Sequence, residues 1–425
     1  MWQTIRNAWK IPDLRKKLLF TAMMLIVFRA GSVIPVPFLD PSVLKEFLAQ
    51  NANSIFGYFN IMTGGAFSQA TIFAMSITPY INASIILNLL TIAIPALERL
   101  AKEGEEGRKK IAQYTRYLTV VLGLIQGFGY YATLRAYQAV NPDTLFSAVV
   151  IIATFTAGTA FIMWLGEQIT EKGIGNGISI ILFAGIISRG PEIVSDTISY
   201  LQTGALNIFT LTLVVIASLA MVAFVVFMSN AERRIPVQYA KRVVGRKMYG
   251  GQSTHIPLKV NMTGVLPIIF ASSICTFPAT IMMFFPQPEI GTFWYSFSKA
   301  VQPDTLGYAI VYFLLIIFFN YFYVAVQFNP IEMANNMKKN GGFIPGIRPG
   351  KTTSDFIGKI LSKITFIGAA FLGVIAVLPI IISQGFGLNF YLGGTSLLIV
   401  VGVALETVKQ LESQMLMRHY KGFLE

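Results

Sequence analysis

The segment Gly346–Thr352, GIRPGKT, has the most recognisable chemical pattern in the sequence. It resembles the end of a phosphate-binding P-loop, in which backbone N–H groups and a lysine hold the phosphates of a nucleotide. The spacing is wrong by one residue, because Pro345 stands where the first glycine belongs, and Pro349 removes one backbone N–H from the loop. No apolar strand precedes the segment. A nucleotide site is therefore not predicted here.

Residues that bind metals or form disulfides are scarce. His255 and His419 are too few and too far apart in sequence to suggest a metal site, and Cys275, the single cysteine, cannot form a disulfide within the chain. Neither a nucleophile elbow nor a metalloprotease helix is recognised. The sequence therefore predicts no enzyme activity, no metal and no cofactor, and nothing in it predicts specific DNA binding.

Charged residues within the apolar segments are also rare. Ion-coupled transporters and proton pumps usually carry Asp, Glu, His or Lys in their membrane spans. Here Arg29 is the clearest candidate at depth, and it lies near the outer end of its segment, where a long side chain can reach the interface. Glu167 and Glu406 lie close to predicted cytoplasmic ends. No charged relay is predicted.

The elements that carry these residues are membrane segments. Of the 425 residues, 54% are hydrophobic and 12% are charged, with a mean hydropathy of +0.62. The apolar runs are long enough to span a bilayer as helices, which favours a helical bundle over a barrel. The first run is not a cleavable signal, because Arg29 interrupts it and no small-residue cleavage motif follows. The chain is predicted to be an all-α, multi-pass membrane protein.

About ten spans are predicted and are numbered from the N-terminus. They lie near residues 18–36, 71–95, 114–138, 146–166, 177–190, 208–229, 262–285, 308–328, 360–382 and 393–408. The net charge of +13 is distributed unevenly, because most Lys and Arg fall on one side of the membrane when the N-terminus is cytoplasmic. Both termini are therefore predicted to be cytoplasmic, and residues 37–70 to lie outside.

The spans divide into two halves of five, residues 1–200 and 201–425. Because five is odd, the second half must run through the membrane inverted relative to the first. Span two contains PYINASI from Pro79, and span seven contains PIIFASS from Pro267. The matched pairs are Ile81 with Ile269, Ala83 with Ala271 and Ser84 with Ser272. Inverted-repeat membrane proteins show such symmetry, with the functional site near mid-membrane between the repeats, although chance similarity is the alternative.

Small residues on spans two and seven would let the two helix backbones approach closely. They are Ala83, Ser84, Ala271, Ser272 and Ser273. Hydrogen bonds of Ser and Asn between membrane helices contribute only about 0.6 kcal/mol on average, so a seam of this kind can open. A permanently packed helix pair is the alternative interpretation.

A short apolar segment precedes span two. In SIFGYFNIMTGGAFSQATIF, residues 54–73, the first half is too apolar for a solvated loop. Gly64 and Gly65 nevertheless end it well short of the roughly 20 residues that a spanning helix needs. The segment is therefore predicted to be a short helix on the outer side, with the two glycines as a hinge.

Two cytoplasmic loops carry clustered basic residues. Residues 231–259 contain seven Lys and Arg interleaved with Ile, Val and Tyr, and residues 335–351, within the longer loop 331–359, contain four more among Gly and Pro. A loop that only sets orientation needs positive charge, but neither alternating apolar residues nor a rigid turn. Docking of a partner is the better interpretation, whereas residues 102–110 have mixed charge and predict a solvated connector.

The motifs of these segments resemble those of the SecY family, the pore-forming subunits of protein-conducting channels, over essentially the whole chain. The most specific are TIFAMSITPYINASIILNLL, MWLGEQITEKGIGNGISII, GQSTHIPLKVN, FIPGIRPG and GGTSLLIVV. The sequence departs from the family at Ser76, where Gly is usual, and at Asn88, where Gln is usual. Both residues lie in span two and affect the packing and polarity of that helix.

The resemblance implies a channel that passes unfolded secretory polypeptides and releases signal sequences sideways through a gate between spans two and seven. The implied mid-membrane ring consists of Ile77, Ile81, Ile178, Leu182, Ile269 and Ile399. The short outer helix, about residues 55–64, would be a plug formed by Ile55, Phe56, Tyr58, Phe59, Ile61, Met62, Gly64 and Gly65. The implied gate residues are Asn82, Ala83, Ser84, Asn88, Ala271, Ser272 and Ser273. Without the resemblance, these isoleucines would be interpreted as ordinary helix packing.

The resemblance also implies partners and a location. The basic loops would dock the motor ATPase SecA or a ribosome through Arg246, Lys247, Lys338, Lys339 and Arg348. Other expected partners are the membrane subunits SecE and SecG, preproteins that bear signal sequences, and membrane lipids. The expected location is the bacterial plasma membrane.

Two other functions fit parts of the pattern. A secondary transporter of a small solute, built from five-plus-five inverted repeats, would have the same topology. It would, however, need charged or unwound binding residues at mid-membrane and would not need large basic docking loops. A structural scaffold would leave the apolar outer segment and its glycines unexplained.

Overall fold

Helices dominate the computed structural model, which describes residues 2–50, 60, 63–204, 207–239, 242–244, 247–249, 253–282, 292–300, 302, 305–386 and 394–421. The first nine are α1 (Trp2–Trp9), α2 (Pro12–Gly31), α3 (Pro41–Gln50), α4 (Thr78–Ala93), α5 (Pro95–Lys102), α6 (Glu105–Ala136), α7 (Leu145–Lys172), α8 (Gly177–Ser188) and α9 (Gly190–Gln202). They are followed by α10 (Ile208–Asn230), α11 (Leu266–Met282), α12 (Phe293–Ala300), α13 (Leu306–Gln327), α14 (Pro330–Lys339), α15 (Lys351–Phe386) and α16 (Gly394–Lys421).

Each predicted span overlaps one of these helices. Within the described ranges, six helical segments are long and apolar enough to cross a membrane: α6, α7, α8 with α9, α10, α13 with α14, and α15. A seventh spanning segment results if α4 and α5, which are bent by 100° at their junction, count as one span. Helix α11 is apolar but shorter. The architecture is therefore that of a polytopic helical membrane protein, and the count of ten spans stays a prediction.

Span two begins later than its hydropathy predicts, because its helix starts at Thr78 rather than at residue 71. The residues before the helix form turns. The Ile72 N–H donates to the Ile34 carbonyl at 3.0 Å, which ties this stretch to the chain after α2. Ser76 has a left-handed backbone with a φ of 50°, a conformation that an α-helix cannot contain.

We expect Ser76→Gly to stabilise the protein. Ser76 is buried and left-handed, and that conformation costs an L-residue about 1–2 kcal/mol. The larger backbone entropy of Gly in the unfolded chain offsets part of this gain. Roughly 0.5–1 kcal/mol of stabilisation remains, which should raise the unfolding temperature by about 1–2 °C. Thermal unfolding in detergent would measure it. Ser362→Gly, inside helix α15, is the control and should lower the unfolding temperature, whereas a decrease for Ser76→Gly would contradict the argument.

A small antiparallel sheet is the main exception to the helical architecture. The strands are β1 (Glu232–Tyr239), β2 (Arg242–Val244), β3 (Lys247–Tyr249), β4 (Ser253–Lys259) and β5 (Gly342–Phe343). β1 lies between β4 and β5, pairing Pro236 with His255 and Gln238 with Phe343, while β2 and β3 form a separate hairpin. β1 and β4 belong to the first basic loop and β5 to the second, so the two loops form one structural unit.

Hydrophobic clusters hold the helices and the sheet together. The largest joins buried residues of α4, α7 and α8 to those of α11, α13, α15 and α16, and so connects the two halves of the chain. Another lies beneath the sheet, where Ile235 and Val237 of β1 pack with Met337 of α14 and Leu361 of α15. The alternating burial along β1 leaves Arg233 and its neighbours facing outwards.

The two ends of the described chain lie on the same side. The Thr4 hydroxyl of α1 donates to the Glu412 carboxylate of α16 at 3.0 Å, and the Lys17 ammonium of α2 donates to the Gln414 carbonyl oxygen at 3.3 Å. A small cluster that contains Leu14 and Leu411 adds apolar contact. Which side of a membrane these ends face stays a prediction.

Candidate functional site

The six residues predicted to form a ring lie in one hydrophobic cluster. Five of them are at most 4% exposed, and Ile178 is partly buried and packs against the others. They are Ile77 and Ile81 at the start of α4, Ile178 and Leu182 on α8, Ile269 on α11 and Ile399 on α16. Two helices from each half of the chain therefore contribute to one aliphatic centre, and its role as a pore ring stays a proposal.

Local backbone hydrogen bonds fix the spacing of the ring residues. The Ile81 N–H donates to the Ile77 carbonyl at 3.0 Å, so these side chains lie one helical turn apart. At α8, the Asn176 side chain accepts from the Ile178 N–H at 3.1 Å and caps the helix. Ile178 and Leu182, four residues apart, then share one face of α8.

The predicted gate residues lie where α4 and α11 are in contact. Asn82, Ala83, Ala271, Ser272 and Ser273 are buried, and Ser84 and Asn88 are partly buried. The Ser272 hydroxyl donates to the Ile269 carbonyl of its own helix at 2.8 Å, and the Asn88 amide donates to the Ser84 hydroxyl within α4 at 3.4 Å. Because these polar groups bond within their own helices, separating α4 from α11 breaks neither bond.

Most of the predicted plug lies outside the described residues, including Ile55, Phe56, Tyr58, Phe59, Ile61 and Met62. Gly64 and Gly65 are described, and Gly64 has a φ of 66°. A Cβ atom at Gly64 would lie 2.6 Å from the Gly185 carbonyl and 2.7 Å from the Ser188 hydroxyl. Gly64 therefore packs closely against the end of α8, where a residue with a side chain does not fit.

Hydrogen bonds on either side of Gly64 fix this part of the chain. The Asn60 carbonyl accepts from the Gly65 N–H, and its side chain accepts from the Ser68 N–H, both at 2.9 Å. The Arg29 guanidinium donates to the Ser188 hydroxyl at 3.4 Å. Arg29, the charged residue within the first predicted span, therefore contacts the end of α8 beside the plug segment.

The predicted docking residues lie on or near the sheet. Lys338, Lys339 and Arg348 are exposed, Lys247 lies in β3, and Arg246 is outside the described residues. The carbonyl of Arg348 accepts a hydrogen bond from the Thr353 hydroxyl at 2.8 Å. The backbone thus helps to hold the loop and leaves the guanidinium available to a partner.

Sequence reasoning missed an ion pair between neighbouring helices. The Arg116 guanidinium of α6 lies 2.8 Å from the Glu167 carboxylate of α7. Hydropathy places Glu167 near a predicted cytoplasmic end of its span but does not pair it with Arg116. Opposite charges near the same end of two consecutive spans were the available signal.

A polar cavity of about 420 Å³ lies between the two halves, next to the capped start of α8. Its lining comprises Thr170, Gly175, Asn176, Glu406, Lys409 and Gln410. Burial lowers the pKa of the Lys409 ammonium, and the nearby Lys259 cation lowers it further. The sequence did not predict this cavity, because its two walls are more than 200 residues apart in the chain.

Comparison with known proteins places these features in a family. A family model described as SecY matches residues 71–408. The chain is 48% identical to the Protein translocase subunit SecY of Streptomyces coelicolor over 100% of both chains.

Solved structures with the same fold include one described as "The structure of a protein conducting channel", with a TM-score of 0.68, 20% identity and 97% of each chain covered. Another is described as "Sec61 in the Canine ribosome-channel complex from the endoplasmic reticulum", with a TM-score of 0.64, 19% identity and 97% of each chain covered. At these identities the similarity establishes the fold alone.

Proposed function

This chain belongs to the SecY family, and from that premise we propose how it passes unfolded secretory polypeptides across the membrane. It is the pore-forming subunit of a protein translocase and not an enzyme. One observation carries the proposed mechanism: four helices, two from each half, bring aliphatic side chains into a single buried cluster. The polypeptide would cross through this cluster.

The chemistry of the ring suits a substrate of any sequence. A translocating polypeptide presents every kind of side chain, so specific hydrogen bonds at the constriction would hold some segments and stop transport. Branched aliphatic groups form none and can move apart and close again. A narrow apolar constriction also tends to lose its water, which blocks ions when no polypeptide is present.

Release into lipid would occur between α4 and α11. Each Leu, Ile or Val at a helix centre favours lipid by about 0.3–0.6 kcal/mol, whereas Lys or Asp costs about 2.5–3.5 kcal/mol. About ten apolar residues therefore supply several kcal/mol, enough to move a signal sequence sideways. A polar polypeptide would remain in the pore and cross. The small buried residues of the seam and their bonds within each helix support this proposal.

The plug would reinforce the seal from the outer side. Its C-terminal end is fixed where Gly64 packs against α8, so any movement on opening would involve the residues before Gly64. Because α8 also carries Ile178 and Leu182, displacement of α8 would disturb ring and plug together. This mechanical connection supports a shared role for the two elements.

The joined basic loops would dock the driving partner. Exposed Lys338, Lys339 and Arg348 favour an acidic surface or RNA phosphate, which fits the motor SecA and the ribosome. Small membrane subunits corresponding to SecE and SecG would clamp the helices.

The proposed location is the bacterial plasma membrane, with both termini in the cytoplasm. The asymmetry of Lys and Arg supports this orientation, since the basic sheet then faces the cytosolic partners. Residues 1–200 and 201–425 would be the two inverted halves. A secondary transporter with this topology is not retained, because the relatives are translocase subunits.

Crosslinking from a stalled secretory polypeptide tests the route. A photoreactive residue at position 81 or 269 is expected to form adducts with the stalled polypeptide, because Ile81 and Ile269 are two of the six residues of the predicted ring. Positions 87 and 268, buried on the same two helices but outside the predicted ring, are the controls and should form far fewer adducts. Adducts at the controls but not at the ring positions would contradict this route.

A further inference from the structure

Asn320 is a buried polar residue within the apolar helix α13, and the mechanism proposed above does not use it. It follows Phe319 in an aromatic run and is 2% exposed. Its amide oxygen accepts a hydrogen bond from the Thr263 hydroxyl at 2.8 Å, and its amide nitrogen donates to the Thr365 carbonyl of α15 at 3.5 Å. Polar side chains buried between membrane helices are rare and usually have a function, so this pair needs an explanation.

Thr263 belongs to the segment that connects the docking sheet, strands β1, β4 and β5, to gate helix α11. This segment, residues 260–265, is the pre-gate turn: β4 ends just before it and α11 begins just after it. Ile269 of the predicted ring follows within one helical turn, because its N–H donates to the Val265 carbonyl at 3.2 Å. The hydrogen bond to Asn320 therefore acts at the junction between the docking surface and the gate.

Three further contacts hold the pre-gate turn against the second half of the chain. The Val260 N–H donates to the Ala231 carbonyl, next to the end of α10, at 2.9 Å. The Val260 carbonyl packs against Gly368 of α15 so closely that a Cβ atom there would overlap it. Val265 packs in the same way against Gly402 of α16. Together with the bond to α13, these contacts fix the turn on four helices.

We propose that Asn320 is a positioning residue that holds the start of α11 on the same helices as the docking sheet, so that a partner moving the sheet moves the gate helix with it. This proposal rests on the function proposed above. The sheet packs on α15 through Leu361, and the Asn320 amide bonds to the same helix. Gly264 in the turn has a left-handed φ of 64°. Without its anchors the turn would bend at this glycine and absorb the movement.

The surroundings make this hydrogen bond difficult to replace. Thr263 and Asn320 are both buried, where water does not substitute for a lost partner, and a broken bond leaves the Asn320 amide oxygen unpaired. Loss of such a bond changes the ratio of held to released turn by roughly five- to thirtyfold. The bond also constrains both distance and angle, whereas an apolar contact at the same place permits sliding.

Thr263→Val tests the proposal in membrane vesicles from cells that express the full chain. It removes the hydroxyl and keeps the shape of the side chain. ATP-driven transport of a preprotein by SecA should fall at least about fivefold, while the affinity of SecA for the vesicles should be unchanged, because the exposed docking residues are intact. Thr263→Ser keeps the hydroxyl and should transport like the parent. Unchanged transport by Thr263→Val would overturn the proposal.

Two further variants separate positioning from stability. Thr365→Val is the matched control, because the Thr365 hydroxyl donates to Leu361 of its own helix at 2.8 Å, and it should transport like the parent. Thr263→Val combined with Asn320→Leu replaces both partners by apolar groups, which restores stability but not the bond, so transport should stay low. Equal loss in Thr365→Val, or recovered transport in the double variant, would assign the effect to packing or to an unpaired amide and would overturn the proposal.

The junction can also be measured without transport. With Cys275 replaced by alanine, spin labels at the exposed positions 255 of β4 and 277 of α11 should report one narrow distance in the parent and a broader distribution in Thr263→Val. The distribution should stay narrow in Thr365→Val. An unchanged distribution in Thr263→Val would overturn the proposal. A parent that transports no preprotein would instead refute the proposed function, and the distance measurement would still test the junction.

Discussion

Ile81→Gly combined with Ile269→Gly is expected to make the resting channel leak ions. The two side chains are 4% and 2% exposed and belong to the same cluster, one from each half of the chain. Their removal would widen the apolar constriction and let water enter, which lowers the barrier to ions. Each 1.4 kcal/mol removed from that barrier raises the leak about tenfold, so we expect an increase of at least about tenfold.

Conductance in planar bilayers, measured without a substrate, would record this leak. Leu87→Gly with Ile268→Gly is the matched control, since it removes two buried side chains from the same helices outside the predicted ring. Ile81→Leu with Ile269→Leu conserves volume and should keep the seal. An equal leak in the Leu87 and Ile268 control would assign the effect to helix destabilisation and contradict the ring.

The hydropathy of the sequence places the ring residues in membrane helices but does not bring them together. Hydropathy locates Ile81 in span two and Ile269 in span seven, and their burial follows from any packed bundle. Convergence on one centre depends on how four helices pack, and that packing is a long-range property. For this reason the isoleucines were compatible with ordinary packing until the resemblance assigned them a role.

The largest departures from the sequence predictions arise where distant residues meet. β1 pairs with β5 about 100 residues further along the chain, a pairing that local propensity does not encode. Ser76 shortens the helix of span two through its left-handed backbone, which hydropathy does not detect.

Arg348→Glu is expected to abolish motor-driven transport and to leave the protein folded. The Arg348 side chain is exposed, and the contact that holds its loop uses its backbone carbonyl. Reversing the charge should therefore repel an acidic partner without disturbing the sheet or α15. We expect ATP-dependent transport of a preprotein to fall to background in membrane vesicles, with an unchanged thermal unfolding temperature.

Arg108→Glu is the matched control, because Arg108 is exposed on the connector side of α6 in the other half of the chain. A glutamate there lies near the start of the helix, where negative charge is tolerated, and transport should persist. Loss of transport in both variants would point to net charge rather than to a docking position. Normal transport by Arg348→Glu would remove this loop from the docking site.

Arg348→Lys distinguishes charge from geometry at the same position. Lysine keeps the positive charge but loses the planar fork that binds a carboxylate through two parallel hydrogen bonds. If the partner is attracted by charge alone, transport by Arg348→Lys should stay close to that of the parent and weaken with added salt. If a carboxylate of the partner binds the guanidinium through two hydrogen bonds, Arg348→Lys should lose most of its transport, as Arg348→Glu does. Such a loss would show that the exposed loop makes a specific contact and is not merely part of a diffuse basic surface.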